Sequence, residues 1–213
     1  MPDKNNKEKS LTEAEKKRAE RFAKISADME QQGYTRHDLT IDIGKANLFT
    51  IVLLIPLLII GYGLFYLIHH SFRFSAINMM VDLILFLVLI VVHELIHGIS
   101  WSIFTPNHFK DIEFGVLMSS LTPYCACLVP LEKKHYIFGT AMPLIVLGII
   151  PMIAGIIIGS LSMLFLGILM AVSAGGDILI IRNLLQYKTN SDDIVYGPSD
   201  RGGRSDIRTV GSL

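Results

Sequence analysis

The chain has 213 residues, of which 51% are hydrophobic, and its formal net charge at neutral pH is zero. Soluble domains of this size rarely have such a composition, and here the apolar residues form long runs instead of alternating with polar ones. The charge balance argues neither for nor against nucleic-acid binding, and we expect no nucleic-acid partner. The composition therefore favours a membrane protein, with membrane lipid as a necessary partner.

Residues 1–45 form a polar segment that precedes the first apolar run. The Glu, Ala, Lys and Arg content of residues 11–32 predicts a helix, which Gly33 ends. The alternating pattern of residues 38–43 predicts a short strand. We interpret this segment as a cytoplasmic helical cap near the membrane surface, and a regulatory or substrate-gating segment is the alternative.

Four apolar runs follow, each close to the roughly 20 residues that a helix needs to cross a bilayer. They cover residues 47–68, 76–104, 136–159 and 161–185. The pattern predicts an all-α membrane protein whose core is a four-transmembrane-helix bundle. We divide the chain into a cytoplasmic N-terminal segment (1–45), an intramembrane core (46–187) and a cytoplasmic polar tail (188–213).

Residues 114–131, between the second and third runs, are apolar but contain turn-forming residues. These interruptions are Ser119, Ser120, Pro123 and Pro130. Such a segment is better suited to a β-hairpin that dips into the membrane than to a fifth spanning helix. Irregular backbone survives at membrane depth only where protein or a watery cavity surrounds it.

The distribution of basic residues predicts the orientation of the chain. Of the 19 lysines and arginines, only Arg73 falls in a loop on the side opposite both termini. The positive-inside rule then places both termini and the hairpin in the cytoplasm. We therefore expect a multi-pass protein of the cell membrane.

Gly155 and Gly159 form a G-x-x-x-G pattern in the third apolar run. Glycines at this spacing allow two helices to approach closely. We favour close packing inside the bundle, and a homodimer through these glycines is the alternative.

The motif His93-Glu94-Leu95-Ile96-His97 lies inside the second apolar run. Ionisable side chains are costly in hydrocarbon and are by default functional candidates there. Four residues apart on a helix, His93 and His97 project from one face and can bind one metal ion, while Glu94 can hold a water at that metal. The pattern predicts a Zn²⁺ site with Glu94 as the catalytic base. Two buried, hydrogen-bonded histidines are the structural alternative.

A catalytic zinc normally takes a third ligand from the protein. His93 lies sixteen residues after Ile77, and Asp177 lies sixteen residues after Leu161, in runs that cross the membrane in the same direction. At 1.5 Å per residue both side chains should reach the same depth, in the cytoplasmic half. We therefore predict Asp177 as the third metal ligand. A salt bridge between Asp177 and Arg182 is the alternative.

Cys125 and Cys127 form a competing ligand pair, because both would face one side of an extended strand. Two histidines and two thiolates would close the coordination sphere and leave Glu94 without a role. We favour a packing role for these cysteines, with substrate-side or regulatory roles as alternatives. The other histidines we interpret as solvated or hydrogen-bonded; they are His37, His69, His70, His108 and His135.

The order of these motifs resembles a bacterial family of membrane proteins, the zincin peptidase family, which carries a domain of unknown function. The shared features are H-E-L-I-H-G at 93–98, T-P-Y-C-A-C at 122–127, A-M-P-L-I-V-L-G-I-I-P at 141–151 and G-G-D at 175–177. The layout is more distantly similar to the site-2 group of intramembrane metalloproteases, which pair H-E-x-x-H with an aspartate on a later span. That resemblance implies zinc on His93, His97 and Asp177, with Glu94 catalytic. The setting departs from the site-2 pattern, since Asp177 follows two glycines and precedes Ile178.

These observations predict a zinc-dependent peptidase that acts within the membrane or at its surface. Its core would be residues 46–187, and its substrate a transmembrane or membrane-associated protein. A zinc-binding scaffold without peptidase activity, or a component of a metal transporter, is the alternative. Glu94 favours the enzyme, because neither alternative needs a base beside two metal ligands.

Overall fold

The computed structural model describes residues 13–38, 43–72, 75–117, 122–186, 193–196 and 208–211. Most of these residues are helical. The helices are α1 (Glu13–Gln31), α2 (Ile43–His69), α3 (Ala76–Ser102), α4 (Lys133–Pro143), α5 (Ile150–Ile158), α6 (Leu161–Ser173) and α7 (Gly175–Gln186). A π-helical segment, Leu144–Ile149, joins α4 to α5 so that both belong to one long helix.

Three helices in the described part of the chain are long and apolar enough to cross a membrane. They are Asn47–His69, Ala76–Ser102 and Lys133–Ile158. The outward faces of these helices are strongly apolar, and Ile59, Leu67 and Ile77 are each more than two-thirds exposed. Apolar surface of this extent requires lipid rather than water around it. These helices match the first three predicted runs and indicate a multi-pass membrane protein.

The fourth predicted run is not one straight helix. α6 and α7 meet at an angle of 48°, so the pair crosses a membrane only as a broken span. Two glycines, Gly175 and Gly176, open α7, and each costs about 1 kcal/mol relative to alanine in a helix interior. Ala174 leaves helical geometry between the two helices, and its N–H still bonds Met170 O. The bend therefore follows from the weak helix preference of this short stretch.

The predicted hairpin is present between α3 and α4. Strand β2 (Ile112–Leu117) pairs antiparallel with β3 (Thr122–Cys127), and residues 118–121, which include Ser119 and Ser120, lie outside the described residues. The two strands lie within residues 112–127, whereas the predicted segment covers 114–131. Residues 131–132 belong to a different sheet.

A second sheet has the strand order β1-β6-β5-β4 and joins distant parts of the chain. Its strands are β1 (Thr35–Asp38), β4 (Leu131–Glu132), β5 (Ile194–Tyr196) and β6 (Arg208–Gly211). Of the predicted strand at 38–43, Asp38 is the last residue of β1, Ile43 is the first residue of α2, and residues 39–42 lie outside the described residues. Pairing with β6 sets the position of β1, and alternation within the segment cannot reveal that partner.

The largest buried cluster lies where α3, α4, α7 and both sheets meet. Its members are Trp101, Ile112, Cys127, Leu131, Tyr136, Leu184 and Val195. A smaller cluster of Phe65, Leu164 and Ile168 packs α2 against α6. The first cluster lies directly beside the histidine motif of α3 and supports it.

Gly155 and Gly159 both serve contacts within the chain. A Cβ at Gly155 would lie 2.4 Å from the backbone nitrogen of Leu164, so α5 and α6 are in backbone contact there. Gly159 ends α5 with a φ of 75°, in the left-handed region that favours glycine. Close packing inside the bundle accounts for Gly155, and the homodimer stays a prediction.

We predict that Gly155→Ala destabilises the protein by about 1–3 kcal/mol, because the added methyl group would push α5 away from the α6 backbone. Gly63→Ala is the matched control: Gly63 lies on an exposed face of α2, and an added Cβ meets nothing within 4 Å. Thermal unfolding in detergent should show a lower midpoint for Gly155→Ala and an unchanged or slightly higher one for Gly63→Ala. Equal midpoints for the two variants would contradict this packing.

Candidate metal centre

Three side chains from two distant helices meet at one point in the bundle. His93 Nε2 lies 3.1 Å from Asp177 Oδ2 and 3.1 Å from His97 Nε2. His97 Nε2 lies 3.4 Å from Asp177 Oδ1. Both histidines are buried and the aspartate is nearly so. Within the described residues this is the one group of three or more His, Cys, Asp or Glu side chains that could hold a metal ion.

The positions of these residues follow from helix geometry. His93 and His97 are one turn apart on α3 and face the same neighbour. Asp177 lies in the first turn of α7, directly after the bend. The predicted match in depth between His93 and Asp177 is confirmed, because their side chains are in contact. A carboxylate in the first turn of a helix is also stabilised by the helix dipole.

Gly175 allows α7 to begin close to α2. A Cβ at this position would lie 2.4 Å from Thr50 Oγ1 of α2, whereas one at Gly176 would meet nothing within 4 Å. The close approach therefore occurs at Gly175 and not at Gly176. It fixes the start of the helix that carries Asp177.

The spacing of the three ligand atoms fits a tetrahedral metal. Ligands at about 2.0–2.1 Å from a tetrahedral Zn²⁺ lie about 3.3 Å from one another. The two Nε2 atoms lie 3.1 Å apart, and each has an Asp177 oxygen at a similar distance, Oδ2 at 3.1 Å from His93 and Oδ1 at 3.4 Å from His97. Two imidazoles and one carboxylate also form the ligand type common in catalytic zinc sites. The residues present therefore fit zinc.

Surrounding groups fix the orientation of His97. Its Nδ1–H donates to the carbonyl of Gly139 at 2.9 Å, which leaves the lone pair of Nε2 directed at the cluster. The ring of Trp101 stacks on the imidazole with ring centres 5.0 Å apart. Trp101 in turn stacks on Tyr136 and donates its Nε1–H to the Tyr136 carbonyl. By contrast, His93 Nδ1 is buried and has no hydrogen-bond partner in the described part of the chain.

Trp101 and Gly139 were not among the residues predicted from the sequence. Trp101 lies four residues after His97, so extending the helical spacing of the motif by one more turn would have found it. A Cβ at Gly139 would lie 2.1 Å from the Trp101 ring, so only glycine leaves room for the indole. This contact joins α3 to α4 and leaves no local signal in the sequence.

Glu94 lies beside the cluster and contacts the hairpin. The backbone N–H of Cys125 in β3 donates to its carboxylate. The backbone N–H of Leu128 donates to the Asp111 carbonyl, so these two residues form a hydrogen-bonded pair. Along an antiparallel ladder such pairs alternate with pairs whose backbone groups point away from the partner strand. Cys125 and Cys127 therefore direct their backbone groups away from β2, towards the outer edge of β3. Glu94 occupies part of that edge.

The two cysteines are not members of the metal cluster. Burial raises the pKa of the Cys127 thiol to about 11, and its Sγ–H donates to the Val129 carbonyl. Burial also raises the pKa of Cys125. The competing ligand pair is therefore not part of the group that the two histidines form with Asp177. The alternative bridge is not seen either, since no ion pair between Asp177 and Arg182 occurs among the described residues.

Residues 86–191, which contain the cluster, Glu94 and the hairpin, match the model of a protein family described as "Putative zincin peptidase". No curated protein and no solved structure matches the chain. The match agrees with the ligand geometry, since zincins bind zinc through an H-E-x-x-H motif. Over residues 86–191 the chain is therefore similar to the zincin-like peptidase family.

Proposed function

We propose that this protein is a zinc-dependent peptidase of the membrane, which hydrolyses peptide bonds within the bilayer or at its cytoplasmic surface. The observation that carries the proposal is the convergence of His93, His97 and Asp177 beside the carboxylate of Glu94. The family match to residues 86–191 supports it independently.

His93, His97 and Asp177 would hold the zinc, and Gly139 and Trp101 would keep His97 in the binding orientation. When bound, zinc supplies Lewis-acid chemistry, which polarises a carbonyl and lowers the pKa of water towards about 7. Three protein ligands leave one tetrahedral position open for reactants. The ligand set is thus that of a catalytic rather than a closed structural site.

Glu94 would act as general base and then as general acid. It follows His93 directly on α3 and lies close enough to both histidines and Asp177 to interact with them electrostatically. Its carboxylate would take a proton from the attacking water and deliver it to the leaving nitrogen. A scaffold or metal transporter gives this carboxylate no comparable task.

The outer edge of β3 would hold the substrate in extended form. In the described part of the chain the hairpin sheet has two strands, and β3 has β2 on one side only. A peptide added as a third strand would bond the outward carbonyl of Cys125 and the outward backbone groups of Cys127, since Glu94 already accepts the Cys125 N–H. Because Glu94 is bonded to the same edge, the added strand would pass beside the catalytic carboxylate. A transmembrane or membrane-associated protein segment, locally unwound, is the expected substrate.

The basic residues support an orientation with both termini and the hairpin in the cytoplasm. The core of the enzyme would be residues 46–187, with residues 1–45 and 188–213 on the cytoplasmic side. The site would then lie in the cytoplasmic half of the bilayer, where the path for water is short.

The ligand assignment predicts that Asp177→Asn lowers zinc affinity by more than the roughly 10- to 100-fold that loss of a second-shell partner costs. Cys125→Ser with Cys127→Ser should keep one zinc per chain, because neither thiol belongs to the cluster. Bound zinc per purified chain, measured by elemental analysis, tests both variants. If Asp177→Asn retained full zinc and the double cysteine variant lost it, the assignment would be wrong.

The catalytic assignment predicts that Glu94→Gln keeps zinc and loses about 10²- to 10⁴-fold in peptide turnover. Glutamine has the same shape and still accepts a hydrogen bond from Cys125 N–H, but it cannot take up a proton. Turnover would be measured in liposomes with a fluorogenic casein peptide and a single-span reporter protein. Equal turnover by wild type and Glu94→Gln would rule out this peptidase mechanism and favour a non-proteolytic zinc protein.

A further inference from the structure

A second polar site lies at the other end of the bundle, well away from the metal cluster. It is a cavity of about 550 Å³ between α2, α3 and the α5–α6 turn. Its main lining residues are Tyr62, Phe65, His69, Asn78, Asp82 and Ser162. Asp82 lies eleven residues before His93 on α3, which places the two side chains about 17 Å apart along the helix. The volume is within the range of small-ligand sites.

Asp82 is the unusual member of this lining. It lies in the apolar helix Ala76–Ser102, is only 5% exposed, and lines the cavity. Among the described residues it forms no hydrogen bond and no ion pair. An ionised carboxylate in a membrane-spanning helix is costly and normally has a partner. A ligand in the cavity would supply that partner.

The other lining groups include hydrogen-bond acceptors and aromatic rings beside apolar residues such as Met79 and Leu161. His69 donates Nε2–H to the Ile156 carbonyl at 2.8 Å, so in the neutral ring Nδ1 is an acceptor. Asn78 and Ser162 offer oxygen atoms. Tyr62 and Phe65 also line the cavity, and aromatic rings attract cations. A carboxylate, neutral acceptors and aromatic rings together recognise an organic cation with N–H donors.

Other ligand classes fit this lining less well. In the described part of the chain the only cluster of three metal-ligating side chains is that of His93, so a transition metal lacks donors here. Among the described residues of the lining there is no lysine or arginine, so an anion would face Asp82 without a basic partner from them. A wholly apolar ligand would leave the carboxylate unpaired. A quaternary ammonium group has no N–H to donate to Asp82 and Asn78, whereas a primary one has three.

We propose that this cavity binds the primary ammonium group of a small polar amine, with Asp82 as its counter-ion. The lining includes Ser71, Ser75 and Ser160, which lie at the ends of membrane-spanning helices, so the cavity opens at headgroup level. The ammonium group can therefore come from the headgroup of phosphatidylethanolamine or from a free short-chain amine. The site is separate from the proposed peptidase chemistry.

The test uses the full-length protein, purified in mild detergent and freed of lipid. Phosphatidylethanolamine, phosphatidylcholine and free ethanolamine are each added, and binding is followed by native mass spectrometry and thermal unfolding. Wild type should bind the primary amine and be stabilised by it, and phosphatidylcholine should bind at least about tenfold more weakly, as loss of charge-assisted hydrogen bonds predicts. Asp82→Asn should lose a similar factor for the primary amine. Its zinc content should equal that of wild type, which separates this site from the metal centre.

The source of the ammonium group follows from the two amine arms. Stabilisation by phosphatidylethanolamine alone identifies a lipid site, and stabilisation by millimolar ethanolamine identifies a site for free amines. Should Asp82→Asn fail to fold, Asn78→Leu replaces an exposed lining residue and should weaken amine binding several-fold with unchanged zinc.

Three results would overturn the proposal. The first is no amine binding by wild type. The second is equal amine binding by wild type and by the Asp82→Asn or Asn78→Leu variant. The third is that Arg73→Gln lowers the unfolding midpoint as much as Asp82→Asn, with no further loss in the double variant. That result would identify Arg73, which precedes α3 in the sequence, as the counter-ion of Asp82.

Discussion

The contact between Asp177 and the two histidines of α3 is the interaction on which the arrangement of this protein depends. Burying two imidazoles and a carboxylate in an apolar bundle costs free energy unless these groups hydrogen-bond to one another or bind the same cation. Their mutual approach joins the second apolar run of the chain to the last one. The Asp177 carboxylate reaches the two histidines because α7 begins after a bend and because Gly175 lies close to Thr50.

The hairpin is held to the same centre from the other side. Glu94 accepts the Cys125 amide, and the ring of Phe114 covers Gly98 so closely that a Cβ there would lie 2.2 Å from it. Trp101 packs below His97 and against Gly139 of α4. His93, His97, Glu94 and the strand edge are thus positioned by one helix, α3, and Asp177 joins them from α7. A rigid element of this kind can hold a catalytic group and an extended peptide in fixed relation.

Local periodicity and length made much of this structure predictable. One helical turn placed His93 and His97 together, and equal distance along two apolar runs was enough to identify Asp177. The strand at 35–38 and the pairing of residues 194–196 and 208–211 depend on partners far along the chain, which local patterns do not contain. The bend after Ser173 was missed because hydropathy records the apolar character of the run and not the low helix preference of Gly175 and Gly176. Asp82 was passed over because it follows no motif.

The length of α3 has a consequence for the environment in which the protein works. Its 27 residues extend about 40 Å, whereas the hydrocarbon of a typical bilayer is about 30 Å thick. His93 lies seventeen residues after Ala76, about 26 Å along this helix. A helix longer than the hydrocarbon adjusts by tilting or by local thickening of the bilayer. The depth of the candidate metal centre in a bilayer is therefore set jointly by the length of α3 and by membrane thickness, and hydrophobic mismatch becomes a variable of the proposed chemistry.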